Sequence, residues 1–227
     1  MERGELIASR LNSLGGELDG RATLVAVTKY SPLSDVKLAL SAGHFDFGES
    51  RVQDLKEKAL ELEEVNLRWH FIGHLQRNKV KALLKVPNLY AIHSVDSPRL
   101  LSELINLQEL FNGDQLKVFF QVNCTGEGSK GGVSPGDSLD EMVEQLINDG
   151  ISKLSLAGLM TMGRLETDDF AGDAKRTFAK LRQERDRIRD KFQLNNLGLS
   201  MGMSSDYHIA LDEGSSFVRI GGHIFKS

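Results

Sequence analysis

Leu24-Val-Ala-Val-Thr-Lys-Tyr30 is the stretch that decides the fold. Its first five residues suit a strand buried on both faces, which needs a continuous apolar run, as in a parallel sheet wrapped by helices. Lys29 closes that run, and Ser31-Pro32 follows at once as a start signal for a helix. A lysine in this place stands at the mouth of the sheet. In an eight-stranded βα barrel, that mouth is where ligand binding and chemistry collect.

The periodicity continues outward in both directions. Upstream, Ile7, Leu11, Leu14 and Leu18 recur at helical spacing, so a first amphipathic helix is expected over 5–19. Downstream, strand-like runs read at 24–28, 45–48, 68–72, 89–95, 117–123, 155–161, 199–204 and 217–224. Between them lie helical patterns at 33–42, 50–64, 75–86, 98–111, 138–149, 170–192 and 206–213. Eight strands with a helical segment in nearly every gap are the pattern of a parallel α/β fold. Ser31-Pro32, Ser97-Pro98 and Ser134-Pro135 each set a capping hydroxyl before a proline, and Thr167-Asp168-Asp169 offers caps for the longest helix. The run Arg182 to Lys191 in that helix mixes both signs and reads as a solvated face. No G-x-G-x-x-G or G-x-x-x-x-G-K follows the first strand, which argues against a doubly wound nucleotide-binding sheet. The 227 residues suit a compact barrel. The expected fold class is α/β, a single (β/α)8 TIM barrel with an extra N-terminal helix, one domain over residues 1–227.

Composition removes several classes of function. A net charge of −4 argues against sequence-independent nucleic-acid binding, which needs a basic surface. Cys124 is the sole cysteine, so an internal disulfide and a multi-cysteine metal site are both excluded. That fits a reducing compartment. No apolar run approaches the ~18 residues that a membrane span needs, and the first residues lack a signal-peptide pattern. A cytoplasmic location is expected, with a mitochondrial one left open.

The strand ends supply the candidate site residues. Lys29 has two readings: a lysine that snorkels or pairs with a carboxylate, or an amine, neutral in low-dielectric surroundings, that forms a covalent imine with an aldehyde. Glu49, after the second strand, is either a helix-start carboxylate or a mouth residue. After the third strand, His74 is the better mouth candidate of the pair His70 and His74, and no convincing third ligand supports zinc there. Asn123 ends the fifth strand as a candidate donor. The loop Gly126-Glu-Gly-Ser-Lys-Gly-Gly132 after it tolerates anions but lacks the order of a nucleotide motif. Met160 ends the sixth strand and suits packing around a ring or in the core. Barrels often bind phosphate with the loops after strands seven and eight. Here those loops hold Ser204, Ser205, Gly221 and Gly222, which read either as a phosphate cradle or as ordinary βα turns with serine caps. Arg219, inside an otherwise apolar last strand, needs an interior partner, either carboxylates or a bound group.

Taken together, these segments resemble the pyridoxal phosphate homeostasis protein family. The resemblance is carried by Leu24-Val-Ala-Val-Thr-Lys29, Phe47-Gly-Glu49, Trp69-His-Phe-Ile-Gly-His-Leu-Gln76 with Asn78-Lys79, and Ser129-Lys-Gly-Gly132. It continues in Gly158-Leu-Met160, Leu199-Ser-Met-Gly-Met-Ser204 with Asp206, and Gly214-Ser215 with Val218-Arg-Ile-Gly221. It implies a barrel like the N-terminal domain of alanine racemase, with pyridoxal 5'-phosphate (PLP) held by Lys29 as an internal aldimine. Arg219 would face the pyridine nitrogen and leave it unprotonated, a poor sink for carbanion electrons. Ser204, Ser205, Gly221 and Gly222 would hold the phosphate, with Asn123 and Met160 near the ring. The implied role is a carrier in vitamin B6 and amino-acid homeostasis without strong catalytic turnover. Implied partners are PLP, amino acids and PLP-dependent client enzymes, and the implied state is a monomer. Departures from the family pattern are Ser50, Asp54 and Gly222-His223, where Gly222 removes a hydroxyl from the phosphate loop.

Two rivals share the lysine. A PLP-dependent amino-acid racemase of low activity would need a second base; of Tyr30, Tyr90 and Tyr207, Tyr30 directly follows the lysine and Tyr207 sits at the phosphate end, so neither of these two suits the opposite face. An aldolase-type barrel would use Lys29 directly on a sugar phosphate and carry no chromophore.

Overall fold

A strand in a closed barrel must bury one face inward and the other beneath helices, and alternation along the first strand does both. The computed structural model describes residues 2–127, 131–148, 153–163 and 167–226. Among them, eight parallel strands close in chain order, with the last pairing back onto the first. They are β1 (Thr23–Val27), β2 (Asp46–Glu49), β3 (Arg68–Phe71), β4 (Leu89–Val95), β5 (Leu116–Gln121), β6 (Leu154–Met160), β7 (Gly198–Ser200) and β8 (Phe217–Ile220). Around them run α1 (Arg3–Leu18), α2 (Leu33–Ser41), α3 (Val52–Glu61), α4 (Val80–Leu83), α5 (Pro98–Leu107), α6 (Asp137–Asn148), α7 (Phe170–Phe192), α8 (Tyr207–Asp212) and α9 (Gly222–Phe225). Among the described residues no helix is long and apolar enough to cross a membrane.

Leu24 and Ala26 of β1 join the shell between strands and helices, while Val25 pairs in register with Arg219 and shares its interior face. The extra helix α1 is present and buries Ile7, Leu11, Leu14 and Leu18. Ser97 caps α5, accepting from the Leu100 N–H at 3.4 Å, and Asp169 caps α7, accepting from the Gly172 N–H at 3.0 Å. On α7 the charged run is not wholly solvent-facing: Arg187 and Lys191 both reach Asp140 of α6, each at 2.7 Å.

Several boundaries differ from the sequence reading. The expected strand over 199–204 stops at Ser200, because Gly202 turns the chain at φ 96°. The expected strand over 217–224 stops at Ile220, and Gly222–Phe225 form the short helix α9, which buries Ile224 and Phe225. The helix expected over 75–86 is a 3-10 turn, Arg77–Lys79, followed by one turn of α4. The helix expected over 138–149 is α6, which starts at Asp137 after a turn that Ser134-Pro135 opens and Gly136 completes at φ 91°.

The barrel interior carries a continuous polar chain. Arg68 grips Asp46 with Nε to Oδ1 at 2.7 Å and Nη2 to Oδ2 at 2.5 Å. His70 Nε2 lies 3.0 Å from Asp46 Oδ1, His70 Nδ1 2.9 Å from His93 Nε2, and His93 Nδ1 2.7 Å from Ser200 Oγ. Arg219 Nη1 then donates to Ser200 Oγ at 2.5 Å. Both imidazoles are fully buried, and Phe119 stacks on His93 with centroids 4.4 Å apart. Burial holds both histidines below their usual pKa, His93 well below it, with His70 and Arg219 adding to that effect at His93. At Asp46 burial acts upward, but hydrogen bonds from His70 and Arg68 outweigh it and bring the carboxyl down to about 2.

These shifts give the fold an acid-sensitive core. The unfolded chain takes up protons on its histidines below about 6.5, where the folded one resists, so stability should fall as pH drops from 7 to 4.5. Between 3.8 and about 2 the depressed Asp46 carboxyl removes roughly a further 2 kcal/mol. Denaturant unfolding at a series of pH values would show this slope; stability unchanged between pH 7 and 4.5 would contradict it. Gly158→Ala should destabilise by about 2–4 kcal/mol, since its Cβ would lie 1.9 Å from the Gly198 carbonyl oxygen. Its unfolding midpoint in urea is the check.

Candidate functional site

The mouth is built by the turns leaving β1, β7 and β8. Lys29 follows β1 and is supported from below. Thr28 Oγ1 donates to Glu49 Oε1 at 2.8 Å, and Lys58 of α3 donates to Glu49 Oε1 at 2.5 Å and to the Thr28 carbonyl at 2.8 Å. Glu49 is fully buried in this clamp and is not a mouth residue. The alternation that turns Gly48 inward points Glu49 out under α3. Lys29 itself is exposed, with its Nζ 5.1 Å from the Tyr30 ring centroid, so the low-dielectric enclosure expected for it is not observed.

Lys29 lines a cavity of about 170 Å³ together with Val27, Ser31, Gly221, Gly222, Phe225 and Lys226. A Cβ on Gly221 would stand 2.7 Å from the Val27 carbonyl oxygen, too close for any other residue without a backbone shift. A Cβ on Gly222 would lie 3.6 Å from Lys226 Cδ and Cε and 3.8 Å from Ser204 Oγ. Exposed main chain, one hydroxyl and two lysines thus converge on one corner of the mouth. Ser205 is exposed beside it in sequence. The corner is held by α1. Arg3 donates to the Phe225 carbonyl at 2.6 Å and to Asp35 at 2.5 Å, and Arg10 donates to the carbonyls of Ile224, at 3.0 Å, and Lys226.

Arg219 lies inside the barrel, one register level with Val25 and therefore below Lys29. Its Nη1 is held by Ser200 and its Nη2 by the Thr161 carbonyl at 3.1 Å, not by carboxylates in the barrel layers. Each Nη keeps a second N–H for another acceptor. Burial lowers this guanidinium to about 10, opposed by the charge of Asp206, so it remains cationic at neutral pH. Met160 is buried in the interior cluster with Ala91 and Phe119, and its neighbour is Thr161.

Other candidates lie elsewhere. Asn123 folds the loop after β5, donating from Nδ2 to the Glu127 carbonyl at 2.8 Å and accepting at Oδ1 from Thr125 Oγ1 and Gly126 N–H, both at 3.1 Å. Gly128, Ser129 and Lys130 of that loop lie outside the described residues. His74 is exposed, pairs with Asp96 at 3.3 Å, and lines a separate cavity of about 320 Å³ with Arg51, Lys56 and Lys79. His70 points into the barrel instead. Burial pushes the Cys124 thiol up to about 11. Among the described residues no group of three or more His, Cys, Asp or Glu side chains could hold a metal ion. Sequence reasoning missed Lys226, Lys58 and the α1 arginines.

No family model matches the chain. The pyridoxal phosphate homeostasis protein of Schizosaccharomyces pombe is 38% identical over 204 residues, covering 90% of this chain and 83% of that protein. The solved structure of PipY from Synechococcus elongatus with PLP bound has a TM-score of 0.85 and 33% identity, over 96% of this chain and 99% of that one. Alanine racemase from Corynebacterium glutamicum shares the fold, with a TM-score of 0.73 at 16% identity over 97% of this chain and 60% of that one. With 38% identity to such a relative sustained over nine tenths of its length, this chain belongs to the pyridoxal phosphate homeostasis protein family.

Proposed function

We propose that this chain binds pyridoxal 5'-phosphate at the barrel mouth, joined to Lys29, and serves as a carrier in vitamin B6 and amino-acid homeostasis. The observation that carries this reading is the shared cavity of Lys29, Gly221, Gly222 and Lys226, with Arg219 recessed beneath the mouth. The residues fit the group. Gly221 and Gly222 line the cavity with main chain alone, Ser204 adds a hydroxyl beside Gly222, and Lys226 supplies a charge where Gly222 supplies no hydroxyl. Arg219 has N–H groups left for a pyridine nitrogen and would leave that nitrogen unprotonated. Bound at Lys29, the cofactor supplies an electrophilic carbon. Lys29 Nζ, as the neutral amine, would be the nucleophile toward that carbon and would give up its two hydrogens to the departing oxygen as water. In this reading Met160 packs in the interior beneath the mouth, Ser205 lies at its outer rim, and Asn123 shapes the loop after β5.

A relative named for PLP homeostasis and a 33% identical structure solved with PLP support the reading. For a carrier rather than a racemase, the support is that Tyr207 donates its hydroxyl to Glu17 and Tyr90 accepts from Lys117 at 2.5 Å, so both are engaged away from Lys29. In this reading a cytoplasmic monomer exchanges PLP with amino acids and with PLP-dependent client enzymes.

Titration of the purified protein with PLP should raise an absorbance band near the visible edge. Lys29→Ala should abolish the band, and a wild-type protein that takes up no PLP would overturn the reading. Lys226→Ala should weaken PLP by about ten-fold and leave pyridoxal, which lacks the phosphate, within about two-fold.

A further inference from the structure

The interior polar chain has one consistent direction. Asp46, gripped by Arg68 on both oxygens, can only accept. His70 Nε2, at 3.0 Å from it, must therefore carry the hydrogen. A neutral His70 then presents a bare Nδ1, which must accept from His93 Nε2–H at 2.9 Å. A neutral His93 likewise presents a bare Nδ1, which accepts from the Ser200 hydroxyl at 2.7 Å. That hydroxyl has spent its one hydrogen, and its oxygen accepts from Arg219 Nη1 at 2.5 Å. Arg219 can only donate, so both ends of the chain agree on the direction. An imidazolium at His70 would set its Nδ1–H against the His93 Nε2–H, and one at His93 would turn the Ser200 hydroxyl from donor to acceptor.

We propose that Ser200, His93, His70 and Asp46 form a one-way hydrogen-bond relay that positions Arg219, fixing its donor geometry at the mouth from the opposite end of the barrel. All four are positioning residues: they act on a bound ligand through the guanidinium. The relay's action on a ring nitrogen rests on the PLP reading above, but its hydrogen-bond order does not. Its walls are apolar or already paired. Phe119 stacks on His93, Phe217 stands edge-on to it, and Tyr90 packs against His70 while accepting from Lys117. The charged and titratable groups facing the relay are Arg68 and Lys117 at its Asp46 end, with His44 on the Asp46 carbonyl, and Asp206 beyond Arg219. Arg68 is half exposed, so the relay runs from a solvent-accessible cation to a buried one.

Two measurements test the relay. Nitrogen-15 NMR of histidine-labelled, cofactor-free protein should show His70 and His93 neutral at pH 7, each with its hydrogen on Nε2. An imidazolium, or an Nδ1–H form at either residue, overturns the proposal without needing any variant. With PLP, Ser200→Ala and His93→Phe should weaken binding by about ten-fold or more and change the pH profile of the absorbance band. His93→Gln should restore both, because its amide accepts from Ser200 and donates to His70. A folded His93→Phe protein with wild-type affinity and pH profile overturns the proposal. Absence of PLP binding by the wild type would overturn the function proposed above instead, and the NMR result would still decide the relay's order.

Discussion

Arg219 places a permanent positive charge inside a closed barrel of strands, and much of the interior answers that constraint. A cation taken out of water must be hydrogen-bonded on its own terms, by acceptors held in place before it arrives. The Ser200 oxygen and the Thr161 carbonyl are those acceptors. Ser200 is in turn oriented by His93, His93 by His70, and His70 by Asp46. The carboxylate at the far end of the relay, Asp46, is bonded directly to Arg68. Nearer to Arg219, Asp206 contributes charge without a direct bond, its carboxylate accepting from the Met203 N–H at 2.6 Å. What is left of the guanidinium's donor capacity points to an acceptor from outside the chain.

The outer scaffold meets a second need, which is to keep the mouth rigid where its residues have few contacts of their own. Lys29 is exposed, yet the residue before it is tied to Glu49 and Lys58 in a buried clamp between β2 and α3. The glycine corner opposite is tied by Arg3 and Arg10 of α1 to the main chain of α9. The extra N-terminal helix therefore bears on the site as well as on the core. Two independent anchors hold the two sides of one cavity.

Much of the fold was legible in the sequence because its strands are continuous apolar runs and its helices carry clear stripes. Where the reading slipped, glycine was the reason. Gly202 ended β7 early, and Gly221-Gly222 turned the expected end of β8 into a helix. Glu49 was misplaced for a different reason: as the last residue of a short strand, its parity, and not its proximity to Phe47-Gly48, decides its direction. The relay was invisible in sequence. Asp46, His70, His93 and Ser200 come from four strands, and only closure of the barrel brings them within hydrogen-bond distance. Lys226 was hidden because the short helix that folds it back over Gly222 was itself unexpected. Arg219, by contrast, stood out from its apolar neighbours and already demanded a partner.

The central claim is chemical: the amine that closes β1 bonds the cofactor's aldehyde carbon. Borohydride reduction of the PLP-loaded protein, followed by proteolysis and mass spectrometry of the peptides, tests it at one atom. The account predicts a single major reduced adduct, on the peptide containing Lys29 and assigned by fragmentation to that residue. An adduct centred on Lys226 or Lys58, with Lys29 unmodified, would contradict it.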